Sequence, residues 1–317
     1  PSHANRWLLE DVLRGEWGFR GFTSSDYFAI RELHETKTNA TSHYVARDGR
    51  HAAELAVRAG VDIEMPDIDC YPHLADLVRE GVIPESLIDD RVRPMLRAKF
   101  QMGLFDDPYV DPDEAERIVR DPFHRALALE AARKTITLLK NDGGLLPLDE
   151  HRVKRIAVIG PNADRVMLGG YSGVPLHADT VLQGIRLRAP ADVEILFHEG
   201  CKITVGGSWK QDEVTAADPE ENRRSIREAA AVAAQADVVV LAIGDNEQTS
   251  REAWAANHLG DRASLDLVGE QDELFEAVAA TGKPVVVLLF SGRPLSVRRV
   301  AERAGAILEL WYLGQET

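Results

Sequence analysis

Cysteine is scarce in this sequence, with only two residues, Cys70 and Cys201, among 317. Two thiols cannot form a framework of disulfides or supply a zinc cluster on their own. Ten histidines are present, but none lies in the H-E-x-x-H or H-x-H spacing of a metal site. The sequence therefore predicts two buried or half-buried thiols and no bound metal.

Long apolar runs and an excess of positive charge are also missing. No apolar run reaches the roughly eighteen residues of a membrane span, and the formal net charge is −15. Because phosphates repel such a surface, we expect no nucleic-acid partner, and we expect no membrane partner either. No leader peptide is visible. Pro1-Ser2-His3 is not a typical natural start, so a cytoplasmic and an exported location both stay open.

The residues up to Met102 alternate between helical and strand patterns, as in a parallel sheet with helices outside. Gly15, Gly60 and Gly81 close the first three helices, Gly103 follows the last one, and Pro84 suits a helix start. Pro94 predicts a break or kink near 91–93, because proline removes a helical hydrogen bond. The predicted elements are a helix at 4–14, a strand at 22–25, a helix at 49–59, a strand at 61–65 and helices at 72–80 and 84–102.

Three Asp-Pro pairs between residues 106 and 122 predict a linker between two domains. A helix over 123–139 and a turn follow. Beyond His151, short apolar runs without alternation predict strands that are buried on both faces, and helices over 221–235 and 268–280 separate some of them. The pattern is typical of a doubly wound α/β sheet. The five runs are 156–159, 193–197, 238–243, 285–290 and 307–311.

Asp26 and Tyr27 directly follow the predicted strand at 22–25. A carboxylate at the carboxyl end of a strand lies where α/β enzymes place their chemistry. The aromatic ring beside it can pack against a sugar. An aspartate after a strand is also a common turn former or helix cap, so the neighbouring motifs must decide between the two interpretations.

Ordered motifs run along the whole chain around this pair. The first are Asn5-Arg6-Trp7-Leu8-Leu9, Leu13-Arg14-Gly15-Glu16-Trp17-Gly18-Phe19-Arg20-Gly21 and Ser25-Asp26-Tyr27. Later ones are Ala59-Gly60-Val61-Asp62-Ile63-Glu64-Met65-Pro66, Leu138-Leu139-Lys140-Asn141, Ile156-Ala157-Val158-Ile159-Gly160-Pro161, Gly292-Arg293-Pro294-Leu295 and Gly314-Gln315-Glu316-Thr317. Together they closely resemble glycoside hydrolase family three, and so many matches in one order make the resemblance specific.

The resemblance implies that Asp26, in a Ser-Asp-Trp/Tyr motif, is the catalytic nucleophile. It implies an α/β fold in which 1–105 are the C-terminal piece of a (β/α)8 barrel and 106–150 a linker with a packing helix. Residues 151–317 would form a doubly wound α/β sandwich domain with a mostly parallel sheet. Because a complete barrel needs about 250 residues, we expect the sugar-gripping strands to be missing and the chain alone to have little activity.

Glycoside hydrolysis needs a second carboxyl group, which protonates the leaving oxygen. Asp245, Glu247 and Glu252 compete for this role after the predicted strand at 238–243. Asp245 suits a turn or supporting position, and Glu247 suits a solvated one. Glu252 lies in Ser-Arg-Glu-Ala-Trp, which is similar to the family's acid/base segment and so implies that Glu252 is the acid/base. The alternative is a solvated Glu252 paired with a nearby arginine.

Tyr27 and Trp254 are the candidates for binding the sugar, since each lies beside a proposed catalytic carboxylate. A hydrophobic plug under the loop is the alternative for Trp254. The glycine-rich run at 169–173 lacks both the G-x-G-x-x-G spacing and an immediately preceding strand. We therefore reject a dinucleotide site and expect no cofactor.

The resemblance implies an exo-acting retaining β-glycosidase, most like a β-glucosidase that hydrolyses terminal non-reducing β-D-glucosyl residues. A β-xylosidase or α-L-arabinofuranosidase is the alternative within the family, because the missing strands would supply most residues that separate pentose from hexose pockets. A non-catalytic carbohydrate-binding protein is a second alternative, and an oxidoreductase rests on sheet topology alone. The expected partner is a β-linked oligosaccharide or glycoside, and the oligomeric state stays open.

Overall fold

The structure is a computed structural model that describes residues 1–34, 42–119, 121–173, 175–206, 211, 213–251 and 262–316. The chain divides into two compact units, Pro1–Ala115 and Glu116–Thr317. None of the helices in these described ranges has the length and apolar character that a membrane span requires.

The first unit contains a two-stranded parallel sheet and several helices. A π-helix over Trp7–Glu16 leads to strand β1, Ser24–Tyr27, which pairs with β2, Ile63–Met65. Short 3-10 helices cover Ser2–Ala4, Arg31–Leu33 and Tyr71–His73. The α-helices are α1 Gly49–Ala59, α2 Leu74–Arg79 and α3 Glu85–Gln101, followed along the chain by α4 Pro112–Val119.

Helix α1 has the boundaries that the sequence predicts. At its start the side chain of Asp48 accepts the main-chain N–H of His51 at 2.8 Å, which satisfies one unpaired donor of the first turn. At its end Gly60 has a φ of 111°, a left-handed conformation that favours glycine. The core beside this helix consists of Ile30, Leu33, Ala52, Ala53, Ala56, Val61 and Cys70.

Two helix predictions for the first unit are wrong. The first helix extends past Gly15 to Glu16, and its hydrogen bonds join residues five apart, as in the bond from Trp17 N to Val12 O. Helix α3 continues through Pro94, so the predicted break is absent, while the alternative of a kink there stays a prediction. A proline removes a single donor, so the remaining hydrogen bonds on both sides can carry the helix onward.

The second unit is built on a six-stranded mixed sheet. Its strands, with those of a separate short pair (β6 and β7), are β3 Thr137–Asn141, β4 Arg155–Ile159, β5 Glu194–His198, β6 Thr204–Val205, β7 Thr215–Ala216, β8 Val238–Gly244, β9 Val285–Phe290 and β10 Ala306–Glu309. The order in the sheet is β3-β10-β9-β8-β4-β5. Five strands are parallel, and β3 runs antiparallel to β10 at one edge. Each of the five apolar runs forms a strand, as predicted, but β5 is not buried on both faces, because it lies at the other edge of the sheet.

Helices pack on both faces of this sheet. All seven residues of β8 are buried, and successive side chains point to opposite faces. The helices of this unit are α5 Pro122–Thr135, α6 Val181–Arg188, α7 Pro219–Ala233, α8 Gln271–Ala279 and α9 Arg298–Arg303. Leu241 and Ile243 join a core formed with α7, α8 and α9, whereas Val240 and Ala242 join a core that includes α6.

The predicted helix over 123–139 ends early, at Thr135, and Thr137–Asn141 forms β3 instead. The sequence Thr-Leu-Leu-Lys does not discriminate between the two structures, because leucine suits a helix as well as a strand. Pairing with β10, more than 160 residues further along the chain, decides the conformation. This strand accounts for the mixed character of the sheet.

Two glycines end strands of the sheet where backbones approach closely. Gly160 follows β4 with a φ of 123°, and Gly244 ends β8 with a φ of 133°. A Cβ atom on Gly244 would lie 2.0 Å from the carbonyl oxygen of Phe290. These positions therefore require glycine for both conformation and space.

We expect Gly244→Ala to lower the free energy of unfolding of the second unit by about 3 kcal/mol or more, because steric overlap adds to left-handed strain. Gly282→Ala is the matched control. Its φ is 73°, but a Cβ there meets nothing within 4 Å, so a loss of about 1 kcal/mol is expected. Urea denaturation followed by tryptophan fluorescence measures both; equal losses would contradict the steric argument.

Candidate active site

Asp26 lies inside strand β1 rather than after it, because the strand spans Ser24–Tyr27 instead of the predicted 22–25. The register pairs Ser24 with Ile63 and Tyr27 with Met65, and it shifts between these pairs. Asp26 thus occupies an irregularity of the strand pairing. Such bulges re-aim side chains and are common beside active sites.

The carboxylate of Asp26 is exposed. Its Oδ1 accepts the main-chain N–H of Tyr27 at 2.7 Å, and Tyr27 itself is 63% exposed. The chain then turns sharply at Phe28, which has a φ of 59°, unusual for a residue other than glycine. Asp26 and Tyr27 are therefore presented together at the end of the short sheet.

Side-chain hydrogen bonds fix β1 to β2 below Asp26. The hydroxyl of Ser25 donates to the carbonyl of Asp26 at 2.8 Å and accepts the N–H of Met65 at 2.9 Å. Ser25 is 6% exposed. One buried hydroxyl thus replaces a main-chain bond of the ladder and holds the backbone on which Asp26 stands.

A buried group of charges supports the start of β1. The carboxylate of Asp62 accepts the N–H of Thr23 and a guanidinium N–H of Arg14, both at 2.7 Å. Arg91 lies 3.4 Å from its other oxygen and 2.6 Å from Glu10. A buried carboxylate needs opposite charge and hydrogen-bond donors, and Asp62 has both in these two arginines and the N–H of Thr23.

Glu64 and the two cysteines have structural roles. Glu64 accepts the N–H groups of Cys70 and Tyr71, at 2.9 and 2.7 Å. Burial, followed by the nearby Glu64 carboxylate, raises the pKa of Cys70 to about 12. Burial also raises the pKa of Cys201. Both thiols are buried and free, as predicted, and both stay protonated and unreactive at neutral pH.

A second polar cluster lies at the carboxyl end of β8 in the second unit. Residues 245–249 are all buried there. The side-chain oxygen of Asn246 accepts the N–H groups of Gln248 and Thr249, at 3.0 and 3.1 Å, so the chain folds back on itself after the strand. The turn therefore buries these polar side chains instead of exposing them to solvent.

Glu247 is buried, and the expectation of a solvated side chain is wrong. Its carboxylate accepts a guanidinium N–H of Arg165 at 3.1 Å and contacts the N–H of Leu168 at 3.4 Å. The turn at Asn246 directs the side chain of Glu247 towards Arg165 and Leu168. An arginine more than eighty residues earlier in the chain could not be recognised as the partner from the local pattern.

Asp245 has the supporting position that its place after the glycine predicts. Its N–H donates to the carbonyl of Phe290 at 2.7 Å, and its fully buried carboxylate lies 3.0 Å from Arg262. Thr249 donates to the same carboxylate at 3.1 Å. Burial raises the pKa of Asp245, and Arg262 opposes that shift. Arg262 and Asp245 therefore form a buried ion pair.

Sequence reasoning missed further polar groups at this edge of the sheet. Glu309, at the end of β10, accepts the hydroxyl of Ser291 and the N–H of Trp311, each at 3.1 Å. Burial raises the pKa of Glu309. The hydroxyls of Ser250 and Tyr312 lie 2.6 Å apart. The available signal was positional: Asp245, Ser291 and Glu309 end or follow adjacent parallel strands.

Glu252 and Trp254 lie outside the described residues, because residues 252–261 are not part of them. The structure places Arg251 before this segment and Arg262 after it. The carbonyl of Arg251 accepts a guanidinium N–H of Arg293 at 3.2 Å. Within the described part of the chain, no group of three or more His, Cys, Asp or Glu side chains is arranged to hold a metal ion.

Comparison with known proteins places the chain in a family. The model of the "Glycosyl hydrolase family 3 N terminal domain" matches residues 1–98, and that of the "Glycosyl hydrolase family 3 C-terminal domain" matches residues 136–317. The chain belongs to glycoside hydrolase family 3. The resemblance drawn from the sequence motifs is thereby confirmed.

Two curated relatives in family 3 illustrate the similarity. A "Beta-xylosidase" of Formosa agariphila is 37% identical over 331 residues, covering 99% of this chain and 42% of that protein. A "Periplasmic beta-glucosidase" of Salmonella typhimurium is 37% identical over 330 residues, covering 100% of this chain and 41% of that protein. The chain thus spans about two fifths of the length of the curated relatives that it matches.

Solved family 3 structures match the whole chain as well. The β-glucosidase EmGH1 of Erythrobacter marinus superposes with a TM-score of 0.91 at 42% identity, over 100% of this chain and 42% of that one. The β-glucosidase of Listeria innocua in complex with isofagomine gives 0.79 at 34% identity, over 100% and 40%. The α/β fold with its mixed sheet therefore matches family 3 structures.

We expect Arg262→Met to lower the free energy of unfolding by about 3 kcal/mol at neutral pH, because it removes the ion-pair partner of the buried Asp245 carboxylate. The loss should shrink as the pH falls. Without Arg262 the raised pKa of Asp245 would rise further, and a protonated Asp245 needs no counterion. Denaturation curves at neutral and acidic pH measure both effects.

The control for that experiment is Arg298→Met, which breaks an exposed pair with Glu302 on α9. Exposed pairs contribute about 0–1 kcal/mol, so this variant should unfold nearly like the unchanged chain at both pH values. An Arg262→Met loss that does not depend on pH would indicate lost packing and not an uncompensated charge.

Proposed function

We propose that this chain is part of an exo-acting retaining β-glycosidase, with β-glucosidase as the preferred activity. The observation that carries the proposal is that both family 3 models match in order while Asp26, in the Ser-Asp-Tyr motif, is exposed on β1. Residues 1–105 are the end of a (β/α)8 barrel, 106–150 a linker with a packing helix, and 151–317 a doubly wound α/β sandwich domain.

Asp26 is the nucleophile of this proposal. Its Oδ1 is engaged by the N–H of Tyr27 at 2.7 Å, and within the described residues Oδ2 has no hydrogen-bond partner. One oxygen is thus oriented by the backbone, and the other is available to attack the anomeric carbon. Attack breaks the glycosidic bond and forms a glycosyl ester of Asp26, which water then hydrolyses with overall retention.

Glu252 is the acid/base of this proposal. As the acid it gives its proton to the leaving oxygen in the first step, and as the base it takes a proton from water in the second. The buried ion pairs of Asp245 with Arg262 and of Glu247 with Arg165 support this choice among the three candidates. Tyr27 and Trp254 bind the sugar, and no cofactor takes part.

β-Xylosidase or α-L-arabinofuranosidase activity is the alternative. The relatives support this alternative, because a β-xylosidase and a β-glucosidase are equally similar to this chain, each at 37% identity. A "Beta-xylosidase/alpha-L-arabinofuranosidase 1" of Medicago sativa is 30% identical over 327 residues. A comparison of aryl glucosides with aryl xylosides distinguishes these activities.

A longer polypeptide that continues this chain through a complete barrel should hydrolyse an aryl β-glucoside faster than the matching xyloside. In it, Asp26→Ala should lower kcat/KM by about a thousandfold or more, because no carboxylate remains to form the ester. A 2-deoxy-2-fluoro glucoside should label Asp26, as mass spectrometry of the peptides would show. A label on another carboxylate would contradict the assignment.

The controls are Asp90→Ala and the 317-residue chain itself. Asp90 is an exposed residue of α3 that pairs with Arg93, and its loss should leave kcat/KM unchanged. The chain alone should show little turnover, because contacts to the non-reacting hydroxyls supply much of the rate. Substantial turnover by the chain would contradict the proposal that it is only the end of a barrel.

In the same longer polypeptide, Glu252→Ala should nearly abolish hydrolysis of disaccharides, whose leaving group must be protonated. It should largely spare formation of the glycosyl-enzyme from dinitrophenyl glycosides, whose leaving group needs no proton. Azide should then restore turnover and give a β-glycosyl azide. Steady-state and burst kinetics across a series of leaving groups measure these effects.

Asp245→Asn and Glu247→Gln are the matched controls, since each keeps the shape of a buried carboxylate at the same strand end. Neither variant should show a dependence on the leaving group or rescue by azide. If one of them does while Glu252→Ala does not, the acid/base role belongs to that residue.

A further inference from the structure

The main-chain N–H of Asp26 has an unusual partner. It donates to Nε2 of His3 at 3.2 Å, in contrast to the ladder bonds that join the rest of β1 to β2. His3 is half-buried and lies in the short 3-10 helix Ser2–Ala4. An imidazole from outside the sheet thus satisfies the backbone donor of the candidate nucleophile.

We propose that His3 is a positioning residue that fixes Asp26 for attack by accepting its main-chain N–H. The inference rests on the proposed function of Asp26 and goes beyond it, because it assigns a role to a side chain that does not touch the substrate. His3 acts at the position where the register between β1 and β2 shifts. There the ladder itself does not determine the direction of the Asp26 side chain.

The hydrogen bond requires one protonation state of His3. Nε2 can accept an N–H only when it carries no proton, so the ring must be neutral with its hydrogen on Nδ1. Proton uptake at Nε2 would convert the acceptor into a donor that faces another donor. The support for Asp26 is therefore lost when His3 is protonated.

The surroundings of His3 favour the neutral ring. Burial lowers the pKa of His3 below its ordinary value of 6.5. The carboxylates of Asp26 and Glu32 act in the opposite direction, whereas His43 lowers the pKa further. The lowered pKa favours the neutral form of His3 in the folded chain. The hydrogen bond from Asp26 to His3 is therefore formed above pH 6.5 and is lost as the pH falls through the lowered pKa of His3.

Nitrogen NMR of the chain labelled with ¹⁵N-histidine tests the hydrogen bond without any activity. Long-range proton–nitrogen spectra should give the Nδ1–H tautomer for His3, assigned by its disappearance in His3→Gln, and its titration should fall below 6.5. A ring with its hydrogen on Nε2, a mixture of tautomers, or a titration at or above that value would overturn the inference.

Kinetics of the longer polypeptide test the role. His3→Leu removes the acceptor and should lower kcat by about tenfold to hundredfold with little change in KM, because a small displacement of a nucleophile is costly. His3→Gln places an amide oxygen where Nε2 was and should retain most of kcat. Since glutamine does not titrate, this variant should also keep its activity to lower pH than the unchanged enzyme.

His51→Leu is the matched control. Its Nδ1 accepts the main-chain N–H of Arg47 at 3.1 Å, so it makes the same kind of bond at another place in the first unit, and its loss should leave kcat and the pH profile unchanged. Equal kcat and equal pH profiles for His3→Leu and the unchanged enzyme would overturn the inference and leave the proposed function standing. An inactive unchanged enzyme would contradict the proposed function, while the NMR result would still decide the hydrogen bond.

Discussion

Burial of β8 on both faces is the constraint on which the second unit depends. A strand whose seven residues are all buried has no place for a polar side chain between the two cores, so polar groups collect beyond its end. There Gly244 lets the backbone pass close to Phe290. The chain then folds back through Asn246 and covers Asp245 and Glu247. The hydrogen bonds of that turn satisfy the polar groups that burial would otherwise leave without partners.

Asp26 in β1 and Asp245 after β8 have very different surroundings. Asp245 is enclosed and neutralised by Arg262 at 3.0 Å, so it stabilises the turn and has no free oxygen to offer. Asp26 is exposed, whereas Arg14 and Arg91 of the same unit lie against the buried Asp62. The proposed nucleophile is thus oriented through its backbone, whereas Asp245 is held by an ion pair.

Much of the fold could be predicted from local patterns. Helix α1 has both a cap, Asp48, and a terminating glycine, Gly60, and the five apolar runs without alternation all form strands. The wrong expectations for β3 and Glu247 share one cause, which is that distant partners override local preference. Strand β3 forms because β10 pairs with it. Glu247 can be buried because it forms an ion pair with Arg165.

The sequence by itself determined the family, the α/β class and the identity of Asp26 as a candidate, because these depend on the order and type of residues along the chain. Only the tertiary structure decided which carboxylates are paired, which are exposed, and that His3 meets the backbone of Asp26. Hydrogen bonds and ion pairs act over a few ångströms in space, and sequence separation carries no information about that distance.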